Sequence, residues 1–239
     1  MSADSATVFL FDVDNTLFDN DALHEDLSRY LERKLGAANR DRYWDIYEAL
    51  RAELGYADYL GALQRYRLME SAAARGDPRL PSAAEFLLDY PFADRLYPRA
   101  LDVLGHFSAR GATVILSDGD VVYQPHKIRR SGLWQAVQGR VLIYIHKEQM
   151  LDDLERRYPA RRYVMVDDKL SILAAMKNAL GERLTTVFPR QGHYAHDPHN
   201  LAAYPPADLA VECIADLLEP ASAASLDAAG NLDKTQEVT

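Results

Sequence analysis

The sequence predicts an α/β protein: a parallel sheet wound on both faces by helices, with an all-helical block inserted after the first strand. Three observations carry that expectation. Short runs rich in Val, Ile, Phe or Tyr recur at residues 7–11, 112–116, 140–145, 163–166 and 184–188. Most lack polar alternation, the mark of strands covered on both faces. Helical patterns alternate with these runs, at residues 99–110 after Pro98, then 122–131, 147–157 and 170–180. Strand and helix in that order, joined by short connections, build parallel sheets. Finally, residues 21–97 contain amphipathic helices and no convincing strand.

The first strand runs Val8-Phe9-Leu10-Phe11 straight into Asp12-Val13-Asp14-Asn15-Thr16. In the insertion, Leu23, Leu27, Leu31 and Leu35 fall four apart and form one apolar stripe, ended by Gly36. Tyr43, Trp44, Ile46, Tyr47 and Leu50 mark a second helix, and Tyr59, Leu60, Leu63 and Tyr66 a third. Pro78, Pro81, Pro91 and Pro98 punctuate the return. The expected division is a core of residues 1–20 and 96–219, a helical cap of 21–95 over the carboxyl end of the first strand, and a tail, 220–239. That tail is rich in Ala, Ser, Asp and Glu without a sustained apolar stripe, so disorder is expected there.

Composition narrows the function classes. At 239 residues and 48% apolar content, the chain suits one large domain or a core with an insertion. A net charge of −9 argues against non-specific binding to nucleic acid or to acidic membranes. A small anionic substrate remains compatible, since a metal and a few local cations can hold it. The N-terminus lacks the basic region of a signal peptide, and no segment approaches the roughly 18 apolar residues of a membrane span. A cytoplasmic protein is expected. The one cysteine, Cys213, lies in an apolar helical pattern over 209–218, which suits core packing and a reducing compartment.

In open parallel sheets, ligands bind outside the carboxyl ends of the strands. The strand tips here carry Asp12 and Asp14, then Ser117-Asp118-Gly119, then Lys147, then Asp167-Asp168. Each piece has a bland reading. A calcium loop opening at Asp12 needs Gly at its sixth position and Glu at its twelfth, but these are Leu17 and Leu23. Asp167 or Asp168 alone reads as a helix cap, and Ser117-Asp118-Gly119 alone as a turn. Lys147 opens a helical pattern, where a cation is mildly unfavourable unless an anion binds there. Asp12, Asp14, Asp167 and Asp168, with the Ser117 hydroxyl and Lys147, on successive strand tips are far more specific together.

In this order the four motifs resemble those of the haloacid dehalogenase-like hydrolase superfamily, over roughly residues 7–190. The resemblance implies a Rossmann-like core with a helical cap between the first two motifs. It implies Asp12 as nucleophile toward a phosphoryl group and Asp14 as the acid that protonates the leaving oxygen and later deprotonates water. Thr16 would steady the loop and, with Ser117, Asp118, Gly119 and Lys147, build the phosphate site. Lys147 would also offset the repulsion between nucleophile and phosphate. Magnesium would be held by Asp12, the Asp14 carbonyl and Asp168, with Asp167 acting through water. Dehalogenases of the superfamily use the first aspartate without a metal or the second aspartate, so Asp14 favours phosphoryl chemistry.

The expected function is therefore a magnesium-dependent phosphatase acting on a small phosphorylated metabolite, with neither nucleic acid nor membrane as partner. A phosphomutase and a non-catalytic phosphate-binding protein are the alternatives. Two features depart from commoner patterns: Lys147-Glu-Gln-Met runs straight into a helix, and Ile172 stands where a further acid is often found. His193, His196 and His199 read as a surface loop beside the site rather than a zinc centre. Tyr43, Trp44, Tyr47, Tyr56 and Tyr59 read mainly as packing within the helical block, with a pocket lining as the other option. Arg65 and Arg67 read as solvated surface, or as contacts to a second anionic group.

Overall fold

The computed structural model describes residues 5–69 and 79–229. Six strands, β1 (Ser5–Phe11), β2 (Ala112–Asp118), β3 (Val141–Tyr144), β4 (Ala160–Val166), β5 (Leu184–Pro189) and β6 (Leu209–Val211), form a parallel sheet ordered β3-β2-β1-β4-β5-β6. The chain winds outward from β1 to β3, then returns across the sheet to β4. This reversal places the topological switch point between the carboxyl ends of β1 and β4. The sequence runs that stop at Asp12 and Asp167 therefore flank the crevice where such sheets bind ligands.

Side chains alternating along β1 serve two cores. Phe9 and Phe11 face α5 (Ala100–Ser108), with ring centroids 4.8 and 5.7 Å from that of Phe107. Val8 and Leu10 face the other way, into a cluster with α8 (Leu151–Arg157) and α9 (Leu170–Leu180). With apolar layers on both faces, polar alternation along the strand would have buried unpaired groups. That is why the run is continuous.

Four inserted helices follow β1: α1 (Asn20–Leu35), α2 (Ala37–Leu54), α3 (Tyr59–Met69) and α4 (Arg79–Leu88). All four stripe leucines of α1 are buried, and Asp19 opens the helix by accepting the Ala22 N–H at 2.8 Å. The bundle's interior is continuous with the α5 side of the sheet, joined through Phe18, Phe92 and Tyr123. Of the aromatic group, Tyr43, Tyr47 and Tyr59 are buried, and Trp44 stacks on His24 with centroids 3.6 Å apart. Pro81 falls in α4, while Pro78 lies outside the described residues.

Several expectations need correction. The 117–119 segment is not simply a turn, because β2 continues through Asp118 by pairing with β3. The expected 147–157 helix is a 3-10 turn, Lys147–Gln149, followed by α8. Around Cys213 there is no continuous helix: β6 pairs with β5, then a 3-10 turn covers Ile214–Leu218. The apolar residues there belong to two elements. The histidine segment is helical rather than a loop, forming α10 (Gly192–His196) and α11 (Pro198–Ala203). The tail begins with α12 (Pro220–Ala229), whose Leu226 is buried in the α5-side core; one well-placed apolar residue holds it. Residues 230–239 lie outside the described residues. Among the described residues, no helix is long and apolar enough to cross a membrane.

Candidate active site

Backbone geometry at the end of β1 sets the site. After β1, the Asp12 N–H still donates to the Val166 carbonyl at 2.9 Å, and the Asp167 N–H donates to Val187 at 3.1 Å. The two acids thus leave neighbouring strands side by side. The chain then turns tightly about Val13, whose carbonyl accepts the N–H groups of Leu17 and Phe18, each at 2.9 Å. Asn15 makes the turn in the left-handed region (φ 59°), which asparagine tolerates better than most residues. Its side-chain oxygen accepts the N–H groups of Asn20 and Asp21 at 3.0 and 3.2 Å, tying the loop to the start of α1.

Asp12, Asp167 and Asp168 are all buried and present carboxylate oxygens within 4.8 Å of one another. Lys147, 3% exposed, bridges two of them, with Nζ 2.5 Å from Asp12 Oδ1 and 2.7 Å from Asp167 Oδ2. Burial alone would lower the Lys147 pKa, but Asp12, Asp167 and Asp118 together hold it above the usual lysine value. Asp12 is pushed up to about 6, first by burial, with Lys147 opposing and Asp167 and Asp14 adding to the rise. Asp168 is also raised well above the usual carboxylate value, again first by burial.

Asp167 accepts the Lys169 N–H at 2.9 Å, so the capping reading holds for one of its oxygens while the other meets Lys147. Asp168 caps nothing. Both of its oxygens are buried without a hydrogen-bond partner. An unpaired buried carboxylate is costly. Three carboxylates here face two ammonium groups, Lys147 and the half-buried Lys169. A hard divalent cation bound by oxygen ligands fits this donor set and would supply the missing positive charge.

Asp14 stands apart from that trio. Lys127 on α6 (Tyr123–Arg130) pairs with its Oδ1, and Gln124 of the same helix donates to its Oδ2 at 3.2 Å. Gln124 also donates to Ser117 Oγ at 2.9 Å. Ser117 is 1% exposed, and as a donor its hydroxyl makes only a long contact, 3.4 Å, to the Asp118 carbonyl. Its proton is therefore still available to a bound anion. Gly119 is buried, and a Cβ there would lie 2.7 Å from Gln124, so the close packing requires glycine. Asp118 accepts the Lys147 N–H at 2.7 Å and thereby positions the lysine. Thr16 is fully buried with its hydroxyl accepting the Asp168 N–H at 3.1 Å. It joins two loops.

A cavity of about 480 Å³ opens between the strand tips and the inserted helices. Asp14, Asp118, Asp168 and Lys169 line its core side, and Tyr47, Tyr56, Tyr59 and Arg51 line the helical side. His193 and Tyr194 of α10 close a third wall; His193 Nδ1 lies 2.7 Å from Asp21 Oδ1, and Arg51 donates to the Tyr194 hydroxyl. His196 and His199 do not line the cavity. Arg65 pairs with Glu53 at 2.5 Å on the exposed surface. Sequence reasoning did not single out Lys127, Gln124, Arg51 or Tyr194. Arg51 follows Tyr47 by one helical turn and Lys127 follows Gln124 by three residues, so shared helix faces were the signal available.

A family model for haloacid dehalogenase-like hydrolases matches residues 6–179, most of the chain. The chain belongs to the haloacid dehalogenase-like hydrolases. Among solved structures, this hydrolase resembles a haloacid dehalogenase-like hydrolase from Burkholderia xenovorans, with 65% identity and a TM-score of 0.84 over 90% of this chain and 98% of that one. A HAD-family hydrolase from Bacillus subtilis bound to magnesium shares 17% identity at a TM-score of 0.58, covering 88% of this chain and 96% of that one. The L-2-haloacid dehalogenase of Xanthobacter autotrophicus has the same identity, TM-score and coverage. These two distant likenesses speak for the fold alone. No curated protein matches significantly.

Proposed function

We propose that this hydrolase is a magnesium-dependent phosphatase acting on small phosphate monoesters through an aspartyl-phosphate at Asp12. The observation that carries this reading is Asp168, buried beside Asp12 and Asp167 with neither oxygen partnered. Carbon–halogen displacement by Asp12 needs no cation, so a metal-ready group of three acids favours phosphoryl chemistry. Asp12, Asp168 and the Asp14 carbonyl would hold the ion, with Asp167 through water. When bound, it supplies charge neutralisation for nucleophile and phosphoryl group.

The chain's own groups carry the rest. Lys147 holds Asp12 and offsets its charge as a phosphate dianion approaches. An Asp12 oxygen forms a bond to phosphorus as the bond to the leaving oxygen breaks, and Asp14 gives that oxygen its proton. Water then attacks phosphorus, passes a proton to Asp14 and frees the Asp12 carboxylate. Ser117 donates its hydroxyl to a phosphoryl oxygen while still accepting from Gln124. The leaving group occupies the polar and aromatic cavity under the inserted helices. Cys213, half-buried and hydrogen-bonded to Asp216 at 3.2 Å, suits the reducing cytoplasm.

The test is product release by purified protein with and without magnesium. Magnesium-dependent liberation of phosphate from nitrophenyl phosphate or from a panel of phosphosugars, nucleotides and phosphorylated acids is expected. Halide release from 2-chloropropionate in the presence of chelator, with no phosphate released from any ester, would overturn the reading.

A further inference from the structure

Lys127 is 1% exposed, and its ammonium lies over the rings of Phe18 and Tyr123, 5.3 and 6.0 Å from their centroids. Its partners are few. It pairs with Asp14 Oδ1, and Asn20 Oδ1 lies 3.4 Å away. Stability does not account for a lysine here. Burying an ammonium is expensive, and replacing a buried ion pair by apolar groups of similar volume is often neutral or stabilising.

Geometry does account for it. Each oxygen of Asp14 has its own donor: Lys127 for Oδ1 and Gln124 for Oδ2. Two donors from one helix fix the plane of the carboxylate and hold it away from the three-acid group, although Asp12 is only two residues back. The same Gln124 amide group reaches Ser117. One helix face thus sets the spacing between a proton-transfer group and a phosphate donor. On its far side, Asn20 donates to the Tyr59 hydroxyl at 3.1 Å, so the grip on Asp14 borders the inserted helices.

We infer that Lys127 is a positioning residue for Asp14: it holds the carboxylate, with Gln124, where a leaving oxygen can collect its proton. The inference rests on the reading of Asp14 as the acid and base of phosphoryl transfer. Its signature is sensitivity to the leaving group. Alkyl phosphates need a proton as they depart, and nitrophenyl phosphate scarcely does.

The experiment compares wild type, Lys127→Met, Asp14→Asn and the double variant with magnesium present, on nitrophenyl phosphate and glycerol phosphate. kcat/KM is the measure, since it reports steps through departure of the leaving group. Lys127→Met should lower kcat/KM about a hundredfold on the alkyl ester and only a few-fold on the aryl ester. Lys127→Met alone leaves Asp14 without its cation and should melt lower, whereas the double variant, which removes both charges, should recover that loss and be no worse in kcat/KM than Asp14→Asn alone. Equal losses on both substrates, or additive losses in the double variant, would overturn the proposal. Should wild type release no phosphate from any ester, the phosphatase reading fails separately. A crystal structure of Lys127→Met then decides: a displaced Asp14 carboxylate supports the positioning role, and an unmoved one ends it.

Discussion

Asp12 and Asp14 are separated by one residue and differ in nearly everything that matters chemically. Asp12 sits in a buried group of three carboxylates where burial dominates and Lys147 can satisfy only part of the negative charge. Asp14 is more open to the cavity and has a donor on each oxygen, from Lys127 and Gln124. One side of the site is short of positive charge and the other is fully paired. The difference teaches that neighbouring acids can meet opposite surroundings; in the proposed reaction the first would serve a cation and an anionic substrate, the second proton transfer from a set position.

The strongest way to break the comparison is at Asp12. Asp12→Asn removes the attacking oxygen while Lys147 keeps Asp167 as partner. Phosphate release should fall by roughly four orders of magnitude or more, with the circular dichroism spectrum unchanged. Comparable turnover would mean that another group attacks.

Asp168 sharpens the metal side. Removing its charge takes away an unpaired buried carboxylate, so metal-free Asp168→Asn should unfold at a higher temperature than metal-free wild type. Magnesium affinity measured by calorimetry should drop by more than about a hundredfold, beyond the cost of losing an outer-shell partner. Magnesium would also cease to raise the melting temperature. Unchanged affinity would place the ion elsewhere.

The smallest expected effect is in pH. The Asp12 pKa is raised from 3.8 to about 6, so the folded state binds this proton more tightly than the unfolded state. Its contribution to stability is fully present below about 3.8 and is lost as pH rises through about 6, up to about 3 kcal/mol for the group. Chemical denaturation of the metal-free protein should register that loss across this window, and saturating magnesium should reduce it. In Asp12→Asn the loss should shrink, with the remainder belonging to Asp168 and Asp118, which burial also raises. An unchanged slope in that variant would assign the titration to another group.

How much could be read beforehand varies with the kind of interaction. The continuous apolar run of β1 and the leucines of α1 at four-residue spacing announce their elements directly, because burial on two faces and on one stripe leave different periods. β6 has only three residues, Leu209–Val211, too short for any period, and it exists because the edge of β5 offers pairing. α12 was concealed for the converse reason: its composition is weak, and the burial of Leu226 holds it. At the site, strand tips exposed the acids, Ser117 and Lys147. Lys127 and Gln124 stayed hidden inside a helix pattern, since nothing in a linear pattern marks which face meets Asp14.

The sequence by itself determined the parallel α/β core, the inserted helices and the set of charged groups at the strand ends. Those follow from local periodicity and from the rule that strands of one sheet end along one rim. Only the tertiary structure decided how the charges divide: Lys147 to Asp12 and Asp167, Lys127 to Asp14, and none to Asp168. Such pairing depends on distances between elements far apart in the chain and on which groups burial strips of water. Neither quantity is written into local order.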